Sequence, residues 1–348
     1  MQARRIFLAT IAAWVLGAAL PPDAAAQSAA EKFYAGRRVD FIVGSAPGGG
    51  YYIYATVLAR HLGQHIPGNP TVTMRQLDGA GSLVAANELY AKSPRDGSVF
   101  GAIFMGAVVE PLIGDASLAR YDSRKFNFVG SANREASVCF AWNNVPIKDW
   151  SYVFEKELIV AGAGTASSIN QYPLVLNRLL HTKFKIITGY PGSREAVQSV
   201  EKGEAQGICG IQWSSFVGPY QDWMTQKKIT LFGQIAGLDG DATLNQLGIP
   251  NLYNFVKVDE DRQTLALIFG QMQFGRPYIL PPQVPPDRVA ALRAAFDETM
   301  KDPAFLAEAA KAKLPINPMS GAEVQQLVAQ LYDTPKPLVE RARTAMKP

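Results

Sequence analysis

Twice along this chain a short apolar run opens onto a loop of small residues that leads directly into a helical pattern. In the first instance Arg38 to Gly44 (RVDFIVG) reads as a strand and Ser45 to Gly50 as a loop. Tyr51 to Gln64 then places Ile53, Val57, Leu58 and Leu62 at helical spacing. Thr71 to Leu77, Ser82 to Lys92 and Ser98 to Phe104 continue the alternation as strand, helix and strand. In the second instance Glu157 to Ala161 reads as a strand, Gly162 to Ser168 (GAGTASS) as a loop and Ile169 to Leu180 as a helix. Phe184 to Thr188, Arg194 to Lys202 and Gly207 to Ile211 follow as strand, helix and strand. Alternating strands and helices imply mostly parallel or mixed sheets with helices on their faces. Two such units point to an α/β chain of two domains with a cleft between them. Asp259 to Gly270, Asp287 to Lys301 and Ala322 to Tyr332 read as further helices, the last opened by a Ser320/Glu323 capping box. The C-terminal helices are expected to return to the first domain.

Composition narrows the function classes. Of 348 residues, 48% are apolar and 18% charged, which is globular and excludes a largely disordered chain. A net charge of +4 over this length is no nucleic-acid footprint. Arg4 and Arg5, the apolar stretch Ile6 to Leu20, the break at Pro21-Pro22 and the Ala24-Ala25-Ala26 site read as a secretory signal peptide over residues 1–26. That stretch is shorter than the roughly 20 residues that span a bilayer. Export puts Cys139 and Cys209 in an oxidising compartment. They either bridge or remain two buried thiols on separate strands; the bridge is the expectation. It would close a loop worth roughly 4 kcal/mol at most in the chain-entropy model.

No catalytic constellation is present in the pattern. The chain has no G-x-S-x-G, no phosphate-binding G-x-x-x-x-G-K-[ST] and no H-E-x-x-H. His61 and His65 would share a helix face but read as solvent-facing side chains, so no metal and no cofactor is expected. Gly162-Ala163-Gly164 echoes a dinucleotide fingerprint, with Ser167 where the third glycine belongs. What remains is two strand-loop-helix junctions suited to anions. Each places backbone with few Cβ atoms at a helix N-terminus, where N–H groups are unpaired and the dipole favours negative charge. Candidate ligand contacts are Ser45, Pro47, Gly48, Gly49, Gly50 and Tyr51 in the first, and Gly164, Thr165, Ala166 and Ser167 in the second. Tyr190 and Gly192 mark a third junction, and Trp213 stands after the Gly207 to Ile211 strand. Neither of the first two loops contains Lys or Arg, so a carboxylate would be held by neutral donors.

These stretches resemble the substrate-binding proteins of tripartite tricarboxylate transporters, the Bug family. The resemblance runs through VDFIVGSAPGGG (39–50), LDGAGSLVAANELY (77–90), RDG (95–97), AGAGTASS (161–168), ITGYPGSREAVQSVEKGEAQG (187–207) and PPQVPPDRVAALRAAFDETMKDP (281–303). It implies a two-domain flytrap of the periplasmic-binding-protein type, with residues 27–130 plus about 271–348 in one domain and about 131–270 in the other. It also implies a periplasmic, non-enzymatic receptor, expected to be a monomer. Such a receptor captures a small carboxylate and delivers it to separately encoded membrane permease subunits. A periplasmic sensor for a signalling receptor, or an exported α/β hydrolase, would share much of this pattern. The chain departs from the family where Tyr52 replaces an early-helix Asp and Thr56 an Arg. Tyr51, Tyr52, Tyr54 and Trp213 therefore suggest a ligand with an apolar or aromatic body as well as a carboxylate.

Overall fold

The computed structural model describes residues 29–115, 117–164 and 166–347. The signal peptide read at 1–26 and candidate residue Thr165 lie outside them. The chain forms two mixed sheets, each flanked by helices. The first takes the order β11-β4-β10-β3-β1-β2, from β1 Arg38–Val43, β2 Thr71–Gln76, β3 Val99–Ala102, β4 Asn127–Ser131, β10 Pro277–Leu280 and β11 Met319–Ser320. β1 pairs in parallel with β2 and β3, whereas β10 runs antiparallel to β3 and β4. The second takes the order β7-β6-β8-β5-β9, from β5 Ser137–Trp142, β6 Leu158–Ala161, β7 Phe184–Ile187, β8 Gly207–Gln212 and β9 Ile229–Ile235.

Side-chain alternation along β1 shows why the first sheet is covered on both faces. Phe41 and Val43 enter one apolar cluster with Tyr54, Leu58 and Leu62 of α1 (Gly50–Leu62). Ile42, between them, enters the opposite cluster with Leu83 and Leu89 of α2 (Leu83–Ala91). Phe41 also stacks on Phe100 of β3 at 4.1 Å between ring centroids. The apolar run that continues through Val109 is not one element. It turns at Ile103-Phe104, so that β3 is followed by α3 (Met105–Ile113), buried almost throughout.

The second sheet carries α4 (Ser168–Leu180), α5 (Ser193–Glu201) and α6 (Trp213–Thr225). Cys139 and Cys209 are partners across β5 and β8 and form a disulfide, S–S 2.00 Å. After β9 the chain continues through α7 (Asp259–Phe269) and returns to the first sheet as β10. It ends in α8 (Pro286–Thr299), α9 (Pro303–Lys311), α10 (Gly321–Tyr332) and α11 (Lys336–Met346). The capping box at Ser320 and Glu323 is present. His61 and His65 do not face solvent freely. Their Nε2 atoms lie 2.7 and 2.9 Å from carboxylate oxygens of Glu308 and Asp302, tying α1 to the α9 region.

Candidate functional site

The chain passes between the sheets at 132–136 and again before β10, and the two halves meet along a seam made of backbone. A Cβ on Gly106 of α3 would lie 2.1 Å from the Ala166 carbonyl oxygen, and one on Gly164 would lie 2.4 Å from the Gly81 nitrogen. A Cβ on Gly50, the first residue of α1, would meet Ser215 Oγ of α6 at 2.0 Å. Glycine is what lets these elements approach so closely. Gly48 has a second reason to be glycine: its φ of +81° lies in the left-handed region.

Inside this seam lies a small pocket of mixed polar and apolar lining. Tyr51 of α1, Met105 and Gly106 of α3, Ser168 and Ile169 of α4 and Ser193 of α5 all line it. Each belongs to the first or second position of its helix. Four helix N-termini, those of α1, α3, α4 and α5, thus converge on one pocket, with Gln212 beside them; the α6 start is engaged elsewhere, Trp213 N donating to the Ala136 carbonyl and Ser214 N to Glu135. The first N–H groups of a helix have no partner within it, and the dipole adds partial positive charge. No lining side chain is ionised at neutral pH. The N-cap positions Gly49 and Ser167 make no side-chain cap bond. The space that water centres can reach is about 10 Å3, room for about one water.

Side-chain hydrogen bonds hold this arrangement. Ser168 Oγ donates to the Gly210 carbonyl at 2.7 Å and accepts from Gln212 Nε2 at 2.6 Å. Ser82 Oγ donates to the Gly44 carbonyl at 2.6 Å and accepts from Phe104 N at 3.0 Å. Tyr51 Oη accepts from Met105 N at 3.3 Å, and its ring stacks on Phe104 at 4.3 Å. Burial pushes the Tyr51 hydroxyl up to about 12, so it remains protonated.

Among the residues singled out in the sequence, Tyr51, Ala166 and Ser167 line this pocket. Gly49 and Gly50 stand at the α1 start, and Gly48 faces Arg194, an exposed cation on the rim. Ser45 is buried, its hydroxyl turned to the Ala46 carbonyl. Gly164 lies in the seam, and Gly192 caps α5. Pro47 precedes the Gly48 turn without lining the pocket. Tyr190 turns its hydroxyl to Glu204 at 2.9 Å, and Trp213 packs against the second sheet's cluster. Tyr52 packs partly buried on the first sheet's cluster, and Tyr54 gives its hydroxyl to the Pro315 carbonyl.

No family model matches the chain, and no curated protein does. Solved structures do match over nearly its whole length. The periplasmic binding protein BugD superposes with a TM-score of 0.69 at 17% identity, covering 90% of this chain and 98% of BugD. MatC from Rhodopseudomonas palustris, solved with bound malate, gives 0.67 at 18% identity, covering 89% of this chain and 99% of MatC. The R. palustris protein Rpa4515, solved with adipate, gives 0.68 at 14% identity, covering 88% and 97%. The chain has the fold of a Bug-type periplasmic binding protein.

In this binding-protein fold the crossings between lobes are pinned by a group that no sequence motif announced. Arg276, just before β10, is 1% exposed, and its Nε lies 3.1 Å from Oε1 of Glu135, just before β5. Its guanidinium lies 4.1 Å from the Tyr51 ring and 4.8 Å from that of Tyr54. Arg276 Nη2 donates to the hydroxyls of Ser214 and Ser215 in the first turn of α6, and Ser214 in turn donates to Glu135. Burial is the largest influence and works against the arginine charge, but Glu135 together with Tyr51, Tyr54 and Tyr278 outweighs it and holds the guanidinium pKa above its ordinary value.

A second buried group spans the lobes. Glu110 of α3 is 3% exposed and accepts from Gln171 Nε2 of α4 and from Asp115 N, both at 2.9 Å. Burial raises its carboxyl pKa above the ordinary range, against the pull of these two bonds. A raised carboxyl pKa means that folding disfavours the charged form. The penalty is absent below the unfolded pKa and complete once pH exceeds the folded one. Glu110→Gln is therefore expected to raise the melting temperature by about 2 °C or more at pH 8 and to leave it unchanged near pH 4. Melting curves at the two pH values check this.

Proposed function

We propose that this chain is an extracytoplasmic solute receptor that captures a small carboxylate in the cleft and delivers it to a membrane permease of the tripartite tricarboxylate type. The observation that carries this reading is the convergence of four helix N-termini on a pocket without an ionised side chain. Such a pocket offers an anion amide and hydroxyl donors in fixed directions, with no competing counter-charge. The malate and adipate of the two R. palustris structures are small dicarboxylates, which supports the same ligand class.

In this reading residues 27–130 and about 271–348 form one lobe, and about 131–270 the other. The open protein takes the carboxylate at the Gly48-Gly49-Gly50-Tyr51 turn. The second lobe then closes, bringing in Ala166, Ser167, Ser168 and Ser193. Closure is favoured only by as much as the ligand binds the closed form more tightly than the open one. The permease reads the closed shape, and the receptor acts as a monomer.

A thermal-shift screen of ligand-stripped protein against malate, adipate, citrate and aromatic acids tests the proposal, with amino acids and sugars as controls. A carboxylate at about 100 times its dissociation constant should stabilise by roughly 2.7 kcal/mol. Selective stabilisation by one carboxylate class is the expected result. Stabilisation by sugars alone, or by nothing in the panel, overturns the reading.

A further inference from the structure

The cleft does not end at the amide pocket. Behind Gln171, whose Oε1 faces Gly106, lies a second cavity of about 710 Å3. That is the size of a small-molecule site. Its wall is apolar and drawn from both lobes: Ile113 from α3, Leu174 from α4, Ile186 from β7 and Met346 from α11. Leu118, at its edge, is 42% exposed. Leu174 is half-buried yet belongs to none of the packed apolar clusters. Leu174 and Ile186 are both half-buried where they line the cavity, and apolar surface left open in this way marks a binding surface.

The partition between the two chambers is polar and incompletely bonded. Gln171 Nε2 is used by Glu110, but its Oε1 is buried without a partner. That oxygen lies 3.5 Å from where a Cβ on Gly106 would stand, and Gly106 lines the amide pocket. Gln171 also lines the large cavity, so the two chambers share this wall. A molecule crossing the partition would pass Gln171 Oε1, and the Gly106–Ala166 contact must loosen to admit it.

We propose that the large cavity receives the apolar body of a ligand whose carboxylate sits at the four helix N-termini, which makes the preferred substrate a carboxylate with an alkyl or arylalkyl tail. The inference rests on the carboxylate reading above and names the substrate class of that cleft. Its lining carries two acidic residues, Glu110 and Asp115, beside two basic ones, Arg343 and Lys347, so it offers no net positive charge to a second carboxylate. The expected ligand is therefore a monocarboxylate such as octanoate or phenylpropanoate, in preference to a short dicarboxylate.

Calorimetric titration of ligand-stripped protein with butyrate, hexanoate, octanoate and phenylpropanoate tests this, with malate and adipate alongside. Affinity is expected to rise about two- to fourfold per methylene from butyrate to octanoate, the gain of moving one CH2 out of water. Hexanoate should bind more tightly than adipate. Leu174→Gln should weaken octanoate at least fivefold more than butyrate, and its unliganded melting curve reports whether the fold is intact. A flat series, or equal weakening of octanoate and butyrate by Leu174→Gln, overturns the tail chamber while leaving the carboxylate receptor standing. Adipate binding more tightly than hexanoate does the same. Silence from every carboxylate overturns both.

Discussion

Replacing Arg276 with methionine is expected to cost about 3–5 kcal/mol of stability, because it strands the Glu135 carboxylate in a site from which water is excluded. Both side chains are 1% exposed, so neither charge recovers solvation once its partner is removed. The loss extends beyond the pair. Ser214 and Ser215 lose the Nη2 donor, and the rings of Tyr51 and Tyr54 lose the cation between them. Removing both charges in an Arg276→Met/Glu135→Leu double variant should recover most of the deficit, since no orphan charge then remains. Urea denaturation of the wild type, both single variants and the double variant measures this directly. Single-variant losses below 1 kcal/mol would show that water reaches the pair and that the crossings are not held by it. Because Tyr51 lines the pocket, the single variant should also weaken carboxylate binding in whatever fraction remains folded.

Removing the disulfide is the second large effect. Cys139 and Cys209 are separated by 70 positions, and a closed loop of that length restricts the unfolded chain by about 4 kcal/mol in the chain-entropy model. The bridge joins neighbouring strands inside the second lobe, so its loss should lower that lobe's resistance to unfolding without separating the lobes. A Cys139→Ala/Cys209→Ala variant, or wild-type protein unfolded with dithiothreitol, should reach its urea midpoint well below the oxidised protein. Equal midpoints would show that the bridge contributes nothing. A thiol titration of the unfolded, unreduced chain should find no free thiol.

What was legible in the sequence follows from periodicity. β1, β2 and β3 are short apolar or alternating runs, each followed by a helix whose apolar residues repeat at helical spacing, and the small-residue loops mark where the helices start. β5 and β10 gave no such signal. Both are buried on both faces, so SVCFAW and PYIL show no alternation between apolar and polar residues. The two small-residue loops were legible as helix starts because glycine and serine are residues of tight turns and caps. Phe104, Met105, Ser193 and Gln212 were not, because they enter the pocket only through the way the two lobes meet. Arg276 and Glu135 are far apart in the chain, and only the double crossing brings them together. One signal was available in advance: Glu110 interrupts an otherwise apolar stretch, and a carboxylate there must either end a buried segment or be buried with partners. The tyrosines show the limit of adjacency. Tyr51 and Tyr54 are three apart and share the Arg276 face of α1, while Tyr52, one step round the helix, packs elsewhere.

The seam between the lobes has a consequence for how this protein must be dissected. Its tightest contacts are made at Gly50, Gly106 and Gly164, against Ser215 Oγ, the Ala166 carbonyl and the Gly81 nitrogen. At most positions an alanine substitution takes atoms away; at these glycines it adds a methyl group where there is no room for one, so its effect there reports a clash and not a lost contact.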